Sequence, residues 1–237
     1  MKIALLGYGK MGHEIESVAL EQGHSIHITI DNLKDWEEKT LQFKDCDVAI
    51  DFTMPATAME NAFKCLDIGI PTVIGTTGWY DKLDALTIQC QQKNGSVFYA
   101  SNFSIGVNIF FEINRRLSAL MQSYPLYAPS MIEAHHLNKL DSPSGTAITL
   151  ANDIQANNNL YNGYSKGEIV SGKIPIQSIR SEGVIGTHIV KWTSAIDEIT
   201  IAHDAKSRRG FAIGAVMAAS WLIGKKGVFT MKDLLNL

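Results

Sequence analysis

A chain of 237 residues with 46% hydrophobic and 19% charged side chains has a globular composition and enough length to bury a core without disulfides or metals. Its formal net charge of −3 supplies no general attraction to phosphate polymers or anionic lipid, so neither nucleic acid nor membrane is expected as a partner. Cys46, Cys65 and Cys90 match neither a disulfide framework nor a metal knuckle and read as free thiols in a reducing cytoplasm. The apolar run 3–6 is too short for a signal peptide, and the Ala- and Gly-rich stretch 211–224 falls short of the ~20 residues of a membrane span.

Residues 2–6 form an apolar run without helical periodicity that leads into Gly7-Tyr8-Gly9-Lys10-Met11-Gly12, as a buried parallel strand ending in a glycine turn would. Residues 11–22 space apolar positions between glutamates until Gly23, which predicts an amphipathic helix with a glycine stop. Strands are predicted at 25–30, 48–52, 71–74 and 97–100, with a charged stretch over 34–47. This alternation predicts an α/β, Rossmann-type doubly wound parallel sheet. After about residue 105 the pattern changes. Predicted strands at 132–136, 189–194 and 198–203, with fewer helices between them, point to a second, α+β domain, and 155–167 reads as a polar loop. The expected division is 1–105, completed by a buried helix and tail at 212–237, around a substrate and oligomerisation domain at 106–211.

Strand, Gly7-x-Gly9-x-x-Gly12, then helix is the full context of a dinucleotide fingerprint. Gly7 makes the turn, Gly9 admits a pyrophosphate to the backbone, Gly12 packs helix on strand, and the helix N-terminus holds phosphate. Asp31, about twenty positions on at a strand end, suits ribose hydroxyls. It favours NADH, since a 2′-phosphate at 4 Å from that carboxylate meets a repulsion of about 4 kcal/mol at an effective dielectric near 20, although Lys10 or Lys34 could offset it. The alternative is a glycine-rich turn with no ligand, which the trailing acid disfavours.

The reaction is chosen elsewhere, in Glu133-Ala134-His135-His136-Leu137-Asn138-Lys139-Leu140-Asp141-Ser142-Pro143-Ser144-Gly145-Thr146. Ser142 reads as an N-cap and Pro143 as the first helical residue, which makes Gly145 and Thr146 an anion-binding helix tip. His135, His136 and Lys139 precede it, so an acidic, unsaturated substrate follows. Metal ligation is not expected: the spacing is not HExxH, and a charged lysine is a poor ligand. Neighbouring histidines on a strand face opposite ways, so both reach one substrate only if the strand ends at His135.

That segment resembles the E-x-H-H-x-x-K-x-D-[AS]-P-S-G-T signature of the 4-hydroxy-tetrahydrodipicolinate (dihydrodipicolinate) reductases of the diaminopimelate route to lysine. Asp51-Phe52-Thr53-x-Pro55, Gly75-Thr76-Thr77-Gly78, Asn102-Phe103-Ser104-x-Gly106, His203-x-Ala205-x-Ser207-Arg208 and Phe211-Ala212-x-Gly214-Ala215 are similar to that family's motifs in the same order. The resemblance implies an NADH- or NADPH-dependent reductase, cytoplasmic and homotetrameric, that uses no metal and acts on a small dicarboxylate. It implies His135 and Lys139 as acid/base residues, with His136, Lys139, Gly145 and Thr146 on the substrate carboxylates. Gly7, Gly9, Lys10, Met11, Gly12 and Asp31 would hold the dinucleotide, with Gly75, Thr76, Thr77, Ala100, Ser101, Asn102 and Phe103 flanking the nicotinamide. Closure of the two domains would join the halves of the site. The chain departs from the pattern in a short 31–47 segment, in Lys10 where arginine is common, in a late Gly183, and in Ile196-Asp197. Two other readings compete: an aspartate or homoserine dehydrogenase, against which the His-His-x-x-Lys segment argues, and a dinucleotide-binding sensor without turnover, which intact His135 and Lys139 disfavour.

Overall fold

A computed structural model describes residues 1–237, which divide into two compact units, 1–105 with 209–237 and 106–208. In the first, β1 (Lys2–Leu6), β2 (Ser25–Ile30), β3 (Val48–Asp51), β4 (Thr72–Ile74), β5 (Ser96–Tyr99) and β11 (Gly227–Phe229) form a parallel sheet in the order β11-β5-β4-β3-β1-β2. The helices are α1 (Lys10–Glu21), α2 (Leu33–Phe43), α3 (Pro55–Ile68), α4 (Leu83–Gln92), α7 (Arg209–Leu222) and α8 (Met231–Leu235). The central strands are apolar on both sides because both sides are covered. Ile3 and Leu5 pack with residues of α1 and α7, whereas the alternate Ala4 and Leu6 pack with Trp36 and Phe43 of α2 and Cys65 of α3. This is the doubly wound sheet that the sequence predicts.

The charged 34–47 stretch contains a helix whose start is set by Asn32, which accepts the Asp35 N–H at 3.0 Å. One 11-residue helix therefore carries the short link from β2 to β3. Because β2 and β3 flank β1 on opposite sides, the chain reverses direction across the sheet beside Gly7, the crevice where such sheets take ligands. All three cysteines are free and buried. Burial pushes the Cys46 thiol up to about 11 and the Cys65 thiol to about 12, and also raises Cys90.

The second unit contains most of α5 (Ile105–Met121), then β6 (Ala128–His135), α6 (Gly145–Asn157), β7 (Tyr164–Ser165), β8 (Ile174–Arg180), β9 (Gly186–Thr193) and β10 (Glu198–Ala205). Its mixed sheet runs β10-β9-β6-β8-β7, with β6 antiparallel to β9 and parallel to β8. Phe110 and Phe111 of α5 and Leu150 and Ile154 of α6 cover Met131, Ile176, Val190 and Trp192 of the sheet. The segment expected as a polar loop instead carries the end of α6 and β7. Polar composition misleads there because Gln155 and Asn157 bond back to the Ala151 and Asp153 carbonyls while Ile154 faces the core. β6 also begins earlier than expected, and β8 escapes prediction because Pro175, Gln177 and Ser178 interrupt its apolar pattern. No helix is long and apolar enough to cross a membrane.

Helix α7 approaches the loop after β5 so closely that a Cβ on Gly214 would lie 1.8 Å from the Phe103 carbonyl oxygen. A backbone obstacle cannot rotate away, so Gly214→Val should cost about 1–3 kcal/mol or more, read as a lowered denaturation midpoint.

Candidate active site

The glycine turn shows three different demands at three positions. Gly7 has φ +83°, and a Cβ there would lie 2.6 Å from the Phe52 carbonyl oxygen; on Gly12 it would lie 2.6 Å from the Gly7 oxygen. A Cβ on Gly9 would meet nothing within 4 Å. The first and third glycines thus serve packing, and the second leaves open space at the N-terminus of α1. That terminus has no side-chain cap, so its N–H groups remain for an anion.

Two clefts adjoin there. One, of about 370 Å³, includes Gly7, Gly9, Asp31, Trp36, Thr53 and Glu60 in its wall; the other, of about 330 Å³, includes Gly9, Lys10, Met11, Gly75, Thr76 and Thr77. They share Gly9, Phe52 and Thr53, an arrangement that suits the two ends of one dinucleotide. Asp31 accepts the Tyr8 N–H at 2.9 Å, which leaves a second carboxylate oxygen for ribose. The larger cleft has carboxylates and no lysine or arginine in its wall. Three nearby ammonium groups pair with carboxylates, Lys34 with Glu38, Lys39 with Asp35 and Lys64 with Glu60, while Lys10 lines the adjoining cleft.

Asp51, wholly buried at the end of β3, ties these walls together. Its carboxylate accepts from the Thr53 N–H at 3.0 Å, the Thr53 and Thr76 hydroxyls at 2.8 and 2.9 Å, and Asn61 Nδ2 at 2.8 Å. Asn61 in turn accepts from Trp36 Nε1 at 3.0 Å. Burial raises the Asp51 pKa despite these bonds. A Cβ on Gly75 would lie 2.1 Å from the Phe52 ring, so a side chain there requires that ring to shift. Phe103 differs from the other residues expected near the nicotinamide: its ring is 2% exposed within the core, 5.8 Å from Phe52 and Phe98, so only its backbone is available. Ala100 is also buried, whereas Ser101 is exposed and Asn102 accepts the Ser104 N–H at 2.9 Å.

In the second unit, Glu133 and His135 lie two residues apart on β6 and therefore on the same, buried face. Pairing places His188 of β9 opposite Glu133, and Arg180 of β8 beside His135. Glu133 is fully buried; Oε1 accepts from Arg180 Nη2 at 3.2 Å and Oε2 from the Ser144 N–H at 3.1 Å. His135 Nδ1 approaches Oε2 at 3.3 Å, within ion-pair range but outside good hydrogen-bond geometry. Burial opposes the Glu133 charge, but the adjacent His135 ring and the Ser144 and Ser178 donors outweigh it and hold the carboxyl well below the usual range. Burial first, then the neighbouring His135, pushes the His188 pKa down to about 4, so this ring is neutral at pH 7, with Nε2 at 3.0 Å from Ser144 Oγ. Glu133, His135 and His188 have the residue types of a metal site. Arg180 and the Ser144 N–H already occupy the carboxylate, and a guanidinium beside it opposes a cation, so the trio reads as a hydrogen-bonded support.

Strand β6 ends at His135, and the chain turns at once, with the Lys139 N–H bonded to the His136 carbonyl at 3.1 Å. His136 and Lys139 are half-buried, while His135 lies beneath them in the buried network. His136 Nε2 is 3.4 Å from Arg208 Nη2. Lys139 Nζ forms a two-oxygen pair with Asp141, at 2.7 and 3.0 Å. The helix cap is Ser144, not Ser142: Ser144 Oγ accepts the Ala147 N–H at 3.2 Å, and α6 begins at Gly145, after Pro143. Either serine fits the apolar register, so spacing alone could not choose between them. Gly145 is exposed and Thr146 half-buried at the resulting tip; both N–H groups lie outside the intrahelical ladder, and that of Gly145 faces the Asp141 carboxylate. Arg180 and His188 carry no sequence signal of a site, since only the folded register brings them to Glu133, and Ser144 reaches it from the cap of α6.

A doubly wound sheet with a glycine turn, an uncapped helix tip and a strand-end carboxylate at the crossover defines a Rossmann-type, nicotinamide-dinucleotide-dependent oxidoreductase, here joined to a separate unit whose loop carries His136 and Lys139. Residues 1–103 match the family described as dihydrodipicolinate reductase, N-terminus, and residues 106–235 match dihydrodipicolinate reductase, C-terminus. A curated protein of Christiangramia forsetii named 4-hydroxy-tetrahydrodipicolinate reductase is 48% identical over 236 residues, covering 100% of this chain and 98% of its own length. The chain belongs to the dihydrodipicolinate reductase family. Among solved structures, the dipicolinate-bound dihydrodipicolinate reductase of Paenisporosarcina sp. TG-14 superposes with a TM-score of 0.76 at 24% identity, covering 98% of each chain. A myo-inositol dehydrogenase of Corynebacterium glutamicum superposes at 0.57 with 14% identity, covering 96% of this chain and 90% of that one, a likeness of fold. The match across both halves displaces the aspartate and homoserine dehydrogenase reading.

Glu133→Gln would leave the Arg180 guanidinium without its counter-charge, and the expected loss is about 3–5 kcal/mol at pH 7. Because the folded carboxyl titrates below its unfolded value, the wild-type advantage is full above pH ~4.3 and shrinks as pH falls toward the depressed folded value. Denaturant midpoints of both proteins across pH 3–7 check this.

Proposed function

We propose that the chain reduces 4-hydroxy-tetrahydrodipicolinate to tetrahydrodipicolinate, with loss of water, in the diaminopimelate route to lysine. The observation that carries this reading is the Asp141 carboxylate, which pairs with the Lys139 ammonium and faces the Gly145 N–H at the tip of α6: a cation and a helix N-terminus converge on one carboxylate, as a ring with carboxylate groups requires. The name of the 48% identical relative supports the same substrate.

When bound, the dinucleotide supplies a hydride to the unsaturated ring. In the first unit, the Gly9–Gly12 helix tip takes the pyrophosphate, Lys10 and Met11 line its path, Asp31 takes ribose, and Gly75, Thr76, Thr77 and the backbone of 100–103 face the nicotinamide. In the second, Gly145 and Thr146 donate N–H groups, and Thr146 its hydroxyl, to one substrate carboxylate, while His136 and Lys139 hold charge around the ring. Lys139 then gives a proton to the ring carbon of the reduced enamine, with His135 as the second acid/base group, seated against Glu133. Holding the ring in one orientation is the larger part of the task, because it replaces a bimolecular encounter with a positioned one. The same reading carries a cytoplasmic homotetramer assembled through the second unit, supported by the buried free thiols and by β10, an edge strand with an exposed face.

Coupling the protein to a synthase that generates the unstable substrate and following NADH absorbance tests the reaction. Steady oxidation is expected; NADH binding without oxidation would indicate the sensor reading instead. In the same assay, Lys139→Ala should lower kcat about 10²–10⁴-fold and leave the KM for NADH within about twofold. The acidic, lysine-free wall around Asp31 predicts preference for NADH over NADPH, and Asp31→Ser should narrow the gap by weakening NADH and relieving repulsion of the 2′-phosphate, measured as the ratio of kcat/KM values.

A further inference from the structure

The loop 136–143 carries the proposed proton donor yet has little apolar anchoring: Leu137 is 57% exposed and Leu140 97% exposed. Its ion pair, Lys139 with Asp141, is internal and would not fix it to the sheet. The group that does so is Arg180, at the end of β8. Its Nε donates to the Lys139 carbonyl at 3.3 Å, and its Nη2 donates to the Asp141 carbonyl at 2.6 Å and to Glu133 Oε1 at 3.2 Å. Nη1 is bonded to the Ile179 carbonyl at 2.8 Å, which fixes the plane of the guanidinium against its own strand. The other oxygen of Glu133 holds the Ser144 N–H, at the cap of α6. One buried carboxylate thus sets both the helix tip and, through Arg180, the loop that carries Lys139.

We propose that Arg180 is a positioning residue for Lys139, acting through the Lys139 and Asp141 backbone carbonyls; this rests on the functional reading above for Lys139. A planar fork with several donors is needed because four acceptors, the Lys139, Asp141 and Ile179 carbonyls and Glu133 Oε1, must be met at once. Lysine at this position would keep a positive charge opposite Glu133 but could not reproduce the fork. Loss of alignment by about 1 Å can lower turnover by about 10²-fold without altering binding of the distant cosubstrate.

The test compares wild type, Arg180→Lys and Arg180→Gln in the coupled assay, with amide hydrogen exchange of residues 137–143 and thermal unfolding as parallel measurements. Arg180→Lys is expected to unfold within a few degrees of wild type, to show a kcat about 10–100-fold lower with the KM for NADH within about twofold, and to exchange at 137–143 at least about tenfold faster. Arg180→Gln should show the same split, with lower stability from the unpaired Glu133. Turnover of Arg180→Lys within threefold of wild type would overturn the proposal, as would lost turnover with wild-type protection of 137–143. Should wild type itself fail to oxidise NADH with the cyclic substrate, the functional reading falls, and the exchange rates still decide whether Arg180 holds the loop.

Discussion

The second unit depends on keeping one carboxylate, Glu133, ionised where water does not reach it. Such a charge is costly in isolation, and its ordinary response would be to take up a proton. Here the sheet register supplies Arg180 and Ser178 from β8, His135 stands beside Glu133 on β6, and Ser144 contributes its N–H from the start of α6. The carboxylate is therefore stable only when three separate chain segments occupy their native places. A buried ion pair of this type is a poor source of net stability compared with a well-packed apolar group, but removing either partner is heavily penalised. It acts as a condition on geometry. The cap of α6 and the lysine-bearing loop are the two features that satisfying it brings into position.

Asp51 plays a related part in the first unit with different chemistry. It sits among neutral donors, two threonines and an asparagine, and through them joins the end of β3 to the Thr76 loop and, by way of Asn61, to Trp36 in the wall of the cleft that contains Asp31. In both units a strand end carries a buried acid whose hydrogen bonds run sideways into the loops that line a site. Strands define position well and loops poorly, so these bonds extend the precision of the sheet into segments that could not otherwise hold it.

Much of this organisation is legible in the sequence. The glycine spacing, the apolar first strand and Asp31 indicate the dinucleotide half because each demand is local: a turn, a close approach and a strand end. The His-His-x-x-Lys segment likewise marks the loop proposed to be reactive. What sequence could not give was the partner set of Glu133, since Arg180 and His188 reach it only across strand pairs separated by dozens of residues. Nor could spacing choose between Ser142 and Ser144 as the cap, a choice decided by which hydroxyl reaches the Ala147 N–H. The end of α6 was hidden for the opposite reason, because its asparagine and glutamine amides satisfy their own helix and so resemble a loop in composition.

The three cysteines carry a consequence for the molecule's chemical endurance. Each sulfur is enclosed by the first unit, and desolvation suppresses the thiolate, which is the reactive species toward peroxide or alkylating agents. The native protein should therefore tolerate oxidative exposure that would inactivate an enzyme with an accessible thiol. Sulfur modification would instead follow the rate at which the Rossmann sheet comes apart, which makes Cys46, Cys65 and Cys90 built-in reporters of unfolding.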